Sequence, residues 1–320
     1  MLTGRNRIFV ILLSVFCLFS SALAASEIKE PYTITVLGDP HLPGKNIKAK
    51  EKLIETLNTW KDTDLVVAVG DVCETTGTSE EYKFAKEYFS KLKKPLSLIN
   101  GNHDYVFSKS DGSWHPEMAP TRERSEKLNR FMQTFDMKEL YYSKIVGNYH
   151  LIFLSLDSLD TKYYAELSEK QLQWFDWQLY QHKNKPTIVF CHAPLWWKIL
   201  TKIKPGISNF TIQPMDAIKA ILKKHKQVFM WVAGHVHMGA ENKYSRGFLN
   251  VYNRRIFNIN NCDLNGRSIL EGIKMNLVEH DNLWTKNLEL YSDKVVVKTF
   301  DHKANKVIHQ QDIKLPKFLR

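Results

Sequence analysis

Five short apolar runs, rich in β-branched residues, each stop abruptly at a cluster of glycine, aspartate, asparagine and histidine. Thr33 to Leu37 gives way to Gly38-Asp39-Pro40-His41, Leu65 to Val69 to Gly70-Asp71, and Leu96 to Ile99 to Gly101-Asn102-His103-Asp104. Thr187 to Phe190 runs into Cys191-His192, and Val228 to Val232 into Gly234-His235-Val236-His237. Apolar runs this short, bounded by turn residues, read as buried strands. Open α/β sheets bind their ligands at the carboxyl ends of strands, so the five clusters are expected to meet in one crevice.

The stretches between these runs carry helical period. Ala49, Leu53, Leu57 and Trp60 mark one face, and Met215, Ile218, Ile221 and Leu222 another. Thr78 with Glu81 has the spacing of a capping box, ahead of Tyr82, Ala85, Phe89 and Leu92. Ser168 with Gln171 has it too, ahead of the stripe Leu172, Phe175 and Leu179. A sixth strand is expected from Leu151 to Leu156, and shorter alternating runs from about residue 247 read as antiparallel strands. No linker divides the chain, so residues 25–320 are expected to form one layered α/β (α+β) domain, completed by the strands beyond residue 247.

Residues 1–24 are set apart. Arg5 and Arg7 precede an apolar run from Ile8 to Phe19, and Ala22-Leu23-Ala24 offers small residues where a signal peptidase cuts. The run would span about 18 Å as a helix, short of a bilayer core of about 30 Å. A cleaved secretory leader and a secreted or periplasmic protein with no stable membrane span are expected. Removing it lowers the formal charge from +11 to +9, which reads as a solvated lysine-rich surface or as a field that draws in anionic substrates such as phosphate esters or nucleic acid. Three cysteines remain, Cys73, Cys191 and Cys262; they read as buried inert thiols, with one bridge near the site, between Cys73 and Cys191, as the alternative.

Singly, each polar cluster is ordinary turn chemistry or a lone histidine. Together they supply two carboxylates, four imidazoles and one amide oxygen. That donor set, without thiolate, suits two divalent cations sharing a carboxylate, with positions left for water and substrate. Mn, Fe, Zn, Co and Mg all accept it. Two carboxylates and a bridging hydroxide against two such ions leave about one positive charge, which suits a phosphodiester.

In order and spacing the clusters resemble the five-motif signature of the calcineurin-like metallophosphoesterases, over roughly Thr33 to Asn261. Gly77 to Tyr82, with Leu167-Ser168, Gln171-Leu172 and Trp174-Phe175, is further similar to the branch that holds class III cyclic-nucleotide phosphodiesterases. The resemblance implies a four-layer αββα sandwich of mixed sheets flanked by helices. It implies that Asp39, His41 and His237 hold one metal, that Asn102, His192 and His235 hold the other, and that Asp71 bridges them. His103 would stand near the leaving group with Asp104 orienting its ring, and a metal-bridging hydroxide would attack a small phosphate ester. A purple acid phosphatase would carry Tyr in the second motif, where Cys73 and Glu74 stand. A phosphodiesterase is the expectation; a phosphomonoesterase, a nuclease acting on nucleic acid or a non-catalytic metal-binding scaffold are its alternatives. The stretch Phe107 to Thr121 reads as a substrate lid, core packing or a surface excursion, and Trp196-Trp197 as core packing or a stacking platform. Oligomeric state is not legible.

Overall fold

The computed structural model describes residues 31–109, 116–195, 207–245, 250–271 and 276–319. The leader, Trp114, His115 and Trp196-Trp197 lie outside the described residues.

In chain order the strands are β1 (Tyr32–Leu37), β2 (Leu65–Val69), β3 (Leu96–Ile99), β4 (Phe107–Lys109), β5 (Glu117–Met118), β6 (Tyr142–Val146), β7 (Tyr149–Leu154) and β8 (Thr187–Cys191). There follow β9 (Val228–Ala233), β10 (Val251–Tyr252), β11 (Ile256–Asn260), β12 (Arg267–Ser268), β13 (Val278–Glu279), β14 (Trp284–Leu290), β15 (Lys294–Asp301) and β16 (Lys306–Lys314). The α-helices are α1 (Ile47–Thr59), α2 (Ser79–Ser90), α3 (Asn102–Tyr105), α4 (Thr121–Thr134), α5 (Glu169–Gln181) and α6 (Met215–Lys224).

Two six-stranded sheets, ordered β16-β15-β14-β1-β2-β3 and β10-β11-β9-β8-β7-β6, face each other. Their strands are apolar on both sides because each sheet is covered on both. Ile34, Val36, Val67, Val69 and Ile99 of the first sheet meet Leu151, Phe153, Ile188, Phe190, Met230 and Val232 of the second in the central layer. The alternate residues Leu37, Val66, Ala68 and Leu98 point outward against Leu53, Leu57, Tyr82, Ala85 and Phe131 of α1, α2 and α4. On the far side Ile152, Leu154, Val189 and Trp231 pack under Phe175, Leu179, Ile218 and Leu222 of α5 and α6. The result is the expected four-layer αββα sandwich. Each large side chain sealed in this way stabilises it by about 1.5–3 kcal/mol.

Parallel pairing positions the site. β1, β2 and β3 are parallel neighbours, as are β7, β8, β9 and β11, so the carboxyl ends in each sheet lie together. The C-terminal strands are not all antiparallel as expected: β11 adds parallel to β9, while β14, β15 and β16 extend the first sheet antiparallel from β1. β7 starts two residues earlier than the expected run, because Tyr149 and His150 complete its antiparallel ladder with β6.

Thr78 and Glu81 close a full capping box on α2, with Thr78 N donating to Glu81 Oε2 at 2.8 Å and Glu81 N to Thr78 Oγ at 3.2 Å. On α5 only half of one forms. Ser168 Oγ accepts from Gln171 N, but the Ser168 amide goes to Asp157 Oδ1 at 2.6 Å and Gln171 Nε2 to Ser155 O at 2.7 Å. Burial of Gln171 turns its amide into the core, and Asp157 takes the vacant role. The described ends of the stretch after His103 take the core-packing alternative: Phe107 and Ala119 are buried, and Phe107–Lys109 and Glu117–Met118 pair antiparallel ahead of α4. Cys73, Cys191 and Cys262 are buried free thiols, as expected.

Candidate metal centre

The loops that leave β1, β2 and β9 do so under strain. Asp39, His41, Asp71, His235 and His237 all have positive φ, between 39° and 66°. Non-glycine residues held in the left-handed region cost of order 1–3 kcal/mol each and persist where surrounding structure fixes them. Two glycines make room for the result. A Cβ on Gly101 would lie 2.2 Å from Asp71 Oδ1, and one on Gly234 2.5 Å from Asp39 Oδ1.

All seven expected ligands come to the carboxyl ends, and six of them bring their donor atoms within one neighbourhood. His41, Asp71 and His237 place one ligand atom each within 4.8 Å of one another; Asp71, His192 and His235 do the same. Asp71 belongs to both groups. His41 Nε2 and His237 Nε2 face each other at 3.4 Å, with Asp71 Oδ2 at 3.8 Å from the former. In the second group His192 Nε2 lies 3.3 Å from Asp71 Oδ2 and 2.9 Å from Asn102 Oδ1. Asp39 stands behind the others: both its oxygens accept from the His235 amide, at 3.0 and 2.9 Å, and Oδ1 lies 3.5 Å from His192 Nδ1.

His192 and His235 are held by their other nitrogens, which sets the orientation of the ring and the nitrogen left for a cation. His192 Nδ1 is 2.9 Å from Val69 O and His235 Nε2 is 2.6 Å from Asn209 O. His237 Nδ1 lies 3.3 Å from Asp263 Oδ2, close to the carboxylate but without hydrogen-bond geometry. Beneath this pair lies a buried network that the motif reading missed. Asn265 N donates to Asp263 Oδ1 at 2.5 Å, and Lys50 Nζ donates to Asn265 Oδ1 at 2.8 Å and to His41 O at 3.0 Å. Asp263 follows β11 as the other clusters follow their strands, but the asparagines interleaved in Ile256–Asn260 mask the apolar run that would have marked it.

Asp104 does something other than orient the ring of His103. As the third residue of α3 its carboxylate turns back to the helix start, accepting from the amides of Gly101 at 2.6 Å, Cys73 at 2.8 Å and Val72 at 3.2 Å. It splices the β2 and β3 loops together. His103 is instead fixed by Thr75 O, 2.8 Å from Nδ1, and by its own amide, which donates to Asp71 Oδ1 at 2.9 Å.

Burial pushes His41 and His237 well below the ordinary imidazole range, and burial beside His192 brings His235 to about 4. All three are therefore neutral, the form that binds metal. Burial alone would depress His192 too, but Asp71 and Asp39 outweigh it and raise it to about 9. Burial would raise Asp71, yet His192, His103 and His41 hold it well below the carboxylate range. Burial and, more weakly, Asp71 and Asp263 push Asp39 up, and burial with Asp71 takes Asp104 to about 7. Several buried carboxylates packed this closely, with His41 Nδ1 left without a hydrogen-bond partner, form a donor set that divalent cations fit.

The group opens onto a cleft of about 740 Å³. Phe107, Tyr164 and Phe210 line one part of it and Lys45, Asn265 and Arg267 another. Phe107 meets the His103 ring edge-on at 5.3 Å, and Tyr164 meets Phe107 at 5.1 Å.

Known proteins agree with this geometry. Residues 32–239 match the family model of calcineurin-like phosphoesterases. A probable glycerophosphodiester phosphodiesterase of Arcobacter nitrofigilis is 27% identical over 221 residues, 64% of this chain and 71% of that protein. A 3',5'-cyclic-nucleotide phosphodiesterase of Nostoc is 23% identical over 219 residues, 65% of this chain and 73% of that protein. In fold, the chain resembles a purple acid phosphatase from yellow lupin seeds, with a TM-score of 0.59 at 17% identity over 88% of this chain. It spans about half of that enzyme, 53%. It also resembles a dimetal phosphatase from Danio rerio, with a TM-score of 0.55 at 12% identity, over 90% of this chain and 100% of that one. With the signature on strand ends, the clustered donors and a family match over residues 32–239, which hold β1 to β9, this chain belongs to the calcineurin-like phosphoesterases and is a metal-dependent phosphoester hydrolase.

Proposed function

We propose that the chain hydrolyses phosphodiesters at a pair of divalent cations, with Asp39, His41 and His237 serving one cation, Asn102, His192 and His235 the other, and Asp71 both. The observation that carries this is the membership of Asp71 in both donor groups. Bound cations would supply Lewis-acid polarisation of the phosphorus and an acidified water. The chain's own residues do the rest. Val69 O and Asn209 O aim the imidazoles of His192 and His235, Asp263 backs that of His237, and Gly101 and Gly234 let the two aspartates approach. Thr75 O occupies His103 Nδ1, so Nε2 is the nitrogen that takes up and gives a proton to the departing alcohol.

Two features support a diester over a monoester. Both curated relatives described above are named for diesters. The cleft also has two unlike walls, one aromatic beside His103 and one polar beside His41 and His237, which suits a phosphate with two substituents. Assay with bis-p-nitrophenyl phosphate and p-nitrophenyl phosphate in Mn²⁺ tests the reading. Faster hydrolysis of the diester, abolished by chelator and restored by Mn²⁺, is expected; a preference for the monoester would overturn it.

Export belongs to the same proposal, supported by the Arg5 and Arg7 flank, the apolar run and Ala22-Leu23-Ala24. The expected N-terminus of the protein recovered from expressing cells is Ala25. Recovery of an intact Met1 would contradict it.

A further inference from the structure

Arg267 is the only arginine among the described residues that line the cleft. It stands on β12, next to Asn265, within electrostatic reach of both His41 and His237. Its Nε is buried without a hydrogen-bond partner. Glu279 stands opposite it across the β12–β13 pair and Asp263 lies within its electrostatic reach, but among the described residues neither closes an ion pair with it. Both acids have other cations beside them: Lys45 is paired with Glu279, and Lys50 is buried over Asn265 near Asp263. Glu74, which also lines the cleft, accepts from the Gly44 amide at 3.1 Å. A partly buried guanidinium left open in a cleft wall is a reader of anions, because its planar fork matches carboxylate and phosphate oxygens.

The scissile phosphate does not supply that anion. On the phosphodiesterase reading, on which this inference rests, the single charge of a diester is taken up by the positive charge that the cation pair keeps after Asp39 and Asp71 are counted. The arginine asks for a second negative group. Its place is set by the two walls: the departing substituent lies beside His103, Phe107 and Tyr164, and the retained substituent reaches the His41–His237 end where Arg267 stands. We infer that the substrates are phosphodiesters whose retained alcohol carries a second anionic group, a carboxylate or phosphate, read by Arg267.

The test is a matched pair of esters, 4-nitrophenyl 2-carboxyethyl phosphate and 4-nitrophenyl propyl phosphate, hydrolysed by the Mn²⁺-loaded protein. The wild type is expected to favour the carboxylate ester in kcat/KM by about tenfold or more, the scale of one charge-assisted hydrogen bond. Arg267→Met should bring the ratio close to one, and Arg267→Gln, which keeps a polar side chain in the wall, should do the same. A wild-type ratio near one would overturn the subsite while leaving the phosphodiesterase reading intact. So would a loss in Arg267→Gln that is equal for both esters, since the guanidinium would then be holding the scissile phosphate or the fold. Failure of the wild type to cleave either ester would remove the phosphodiesterase reading, and the subsite with it.

Discussion

His103 and Asp263 act on the centre from opposite sides. His103 is held by Thr75 O and Asp71 without belonging to either donor group, so His103→Ala should lower kcat by roughly 10²–10⁴-fold. Metal content, read by atomic emission, should stay near two per chain; loss of metal would make it a ligand. Asp263 has the complementary signature. It backs His237 from within a buried network, so Asp263→Ala should weaken metal affinity by about 10–100-fold, and activity should return as Mn²⁺ is raised. Unchanged affinity would reduce Asp263 to a packing residue. The ligand types were legible because strand ends carry them in runs of two to four polar residues. Asp263, Lys50 and Arg267 were not, since nothing in their neighbourhoods says that β11 and β12 fold back against the ends of β1 and β9.

At the scale of elements, sequence reading succeeds where one signal acts alone. The Thr78–Glu81 box is local, and it forms as spaced. It falters where tertiary contacts compete, as when burial draws Gln171 to Ser155 O or when Asp104 leaves His103 for three amides. Trp60 packs, as expected, against the core that Leu53 and Leu57 enter, and from the C-cap of α1 it also stacks on His302 at 5.5 Å, with Phe300 edge-on at 4.9 Å. This ring cluster ties α1 to β15. Burial brings His302 to about 4, whereas an unfolded chain takes up its proton near 6.5. Between those values the unfolded state binds more protons, so the contribution of His302 to stability is present above pH 6.5 and is lost as pH falls towards 4, by about 3 kcal/mol. Denaturant titrations from pH 7 to 4 should show a shallower decline for His302→Gln than for the wild type. Parallel declines would mean that the ring is not excluded from protonation.

The whole molecule is a device for bringing two parallel strand edges to one line. Strands and crevice were readable from the apolar runs, the layers came from the family resemblance, and the C-terminal strands were expected as antiparallel; that β14 joins β1 was not readable, because pairing across so much chain leaves no local mark. Fold alone does not decide activity. The central claim is therefore about occupancy: two cations share Asp71. Anomalous diffraction from crystals grown in Mn²⁺ tests it most directly. Two peaks about 3.5–4 Å apart with the Asp71 carboxylate between them are the predicted result. One peak, or two that do not both contact Asp71, would contradict it.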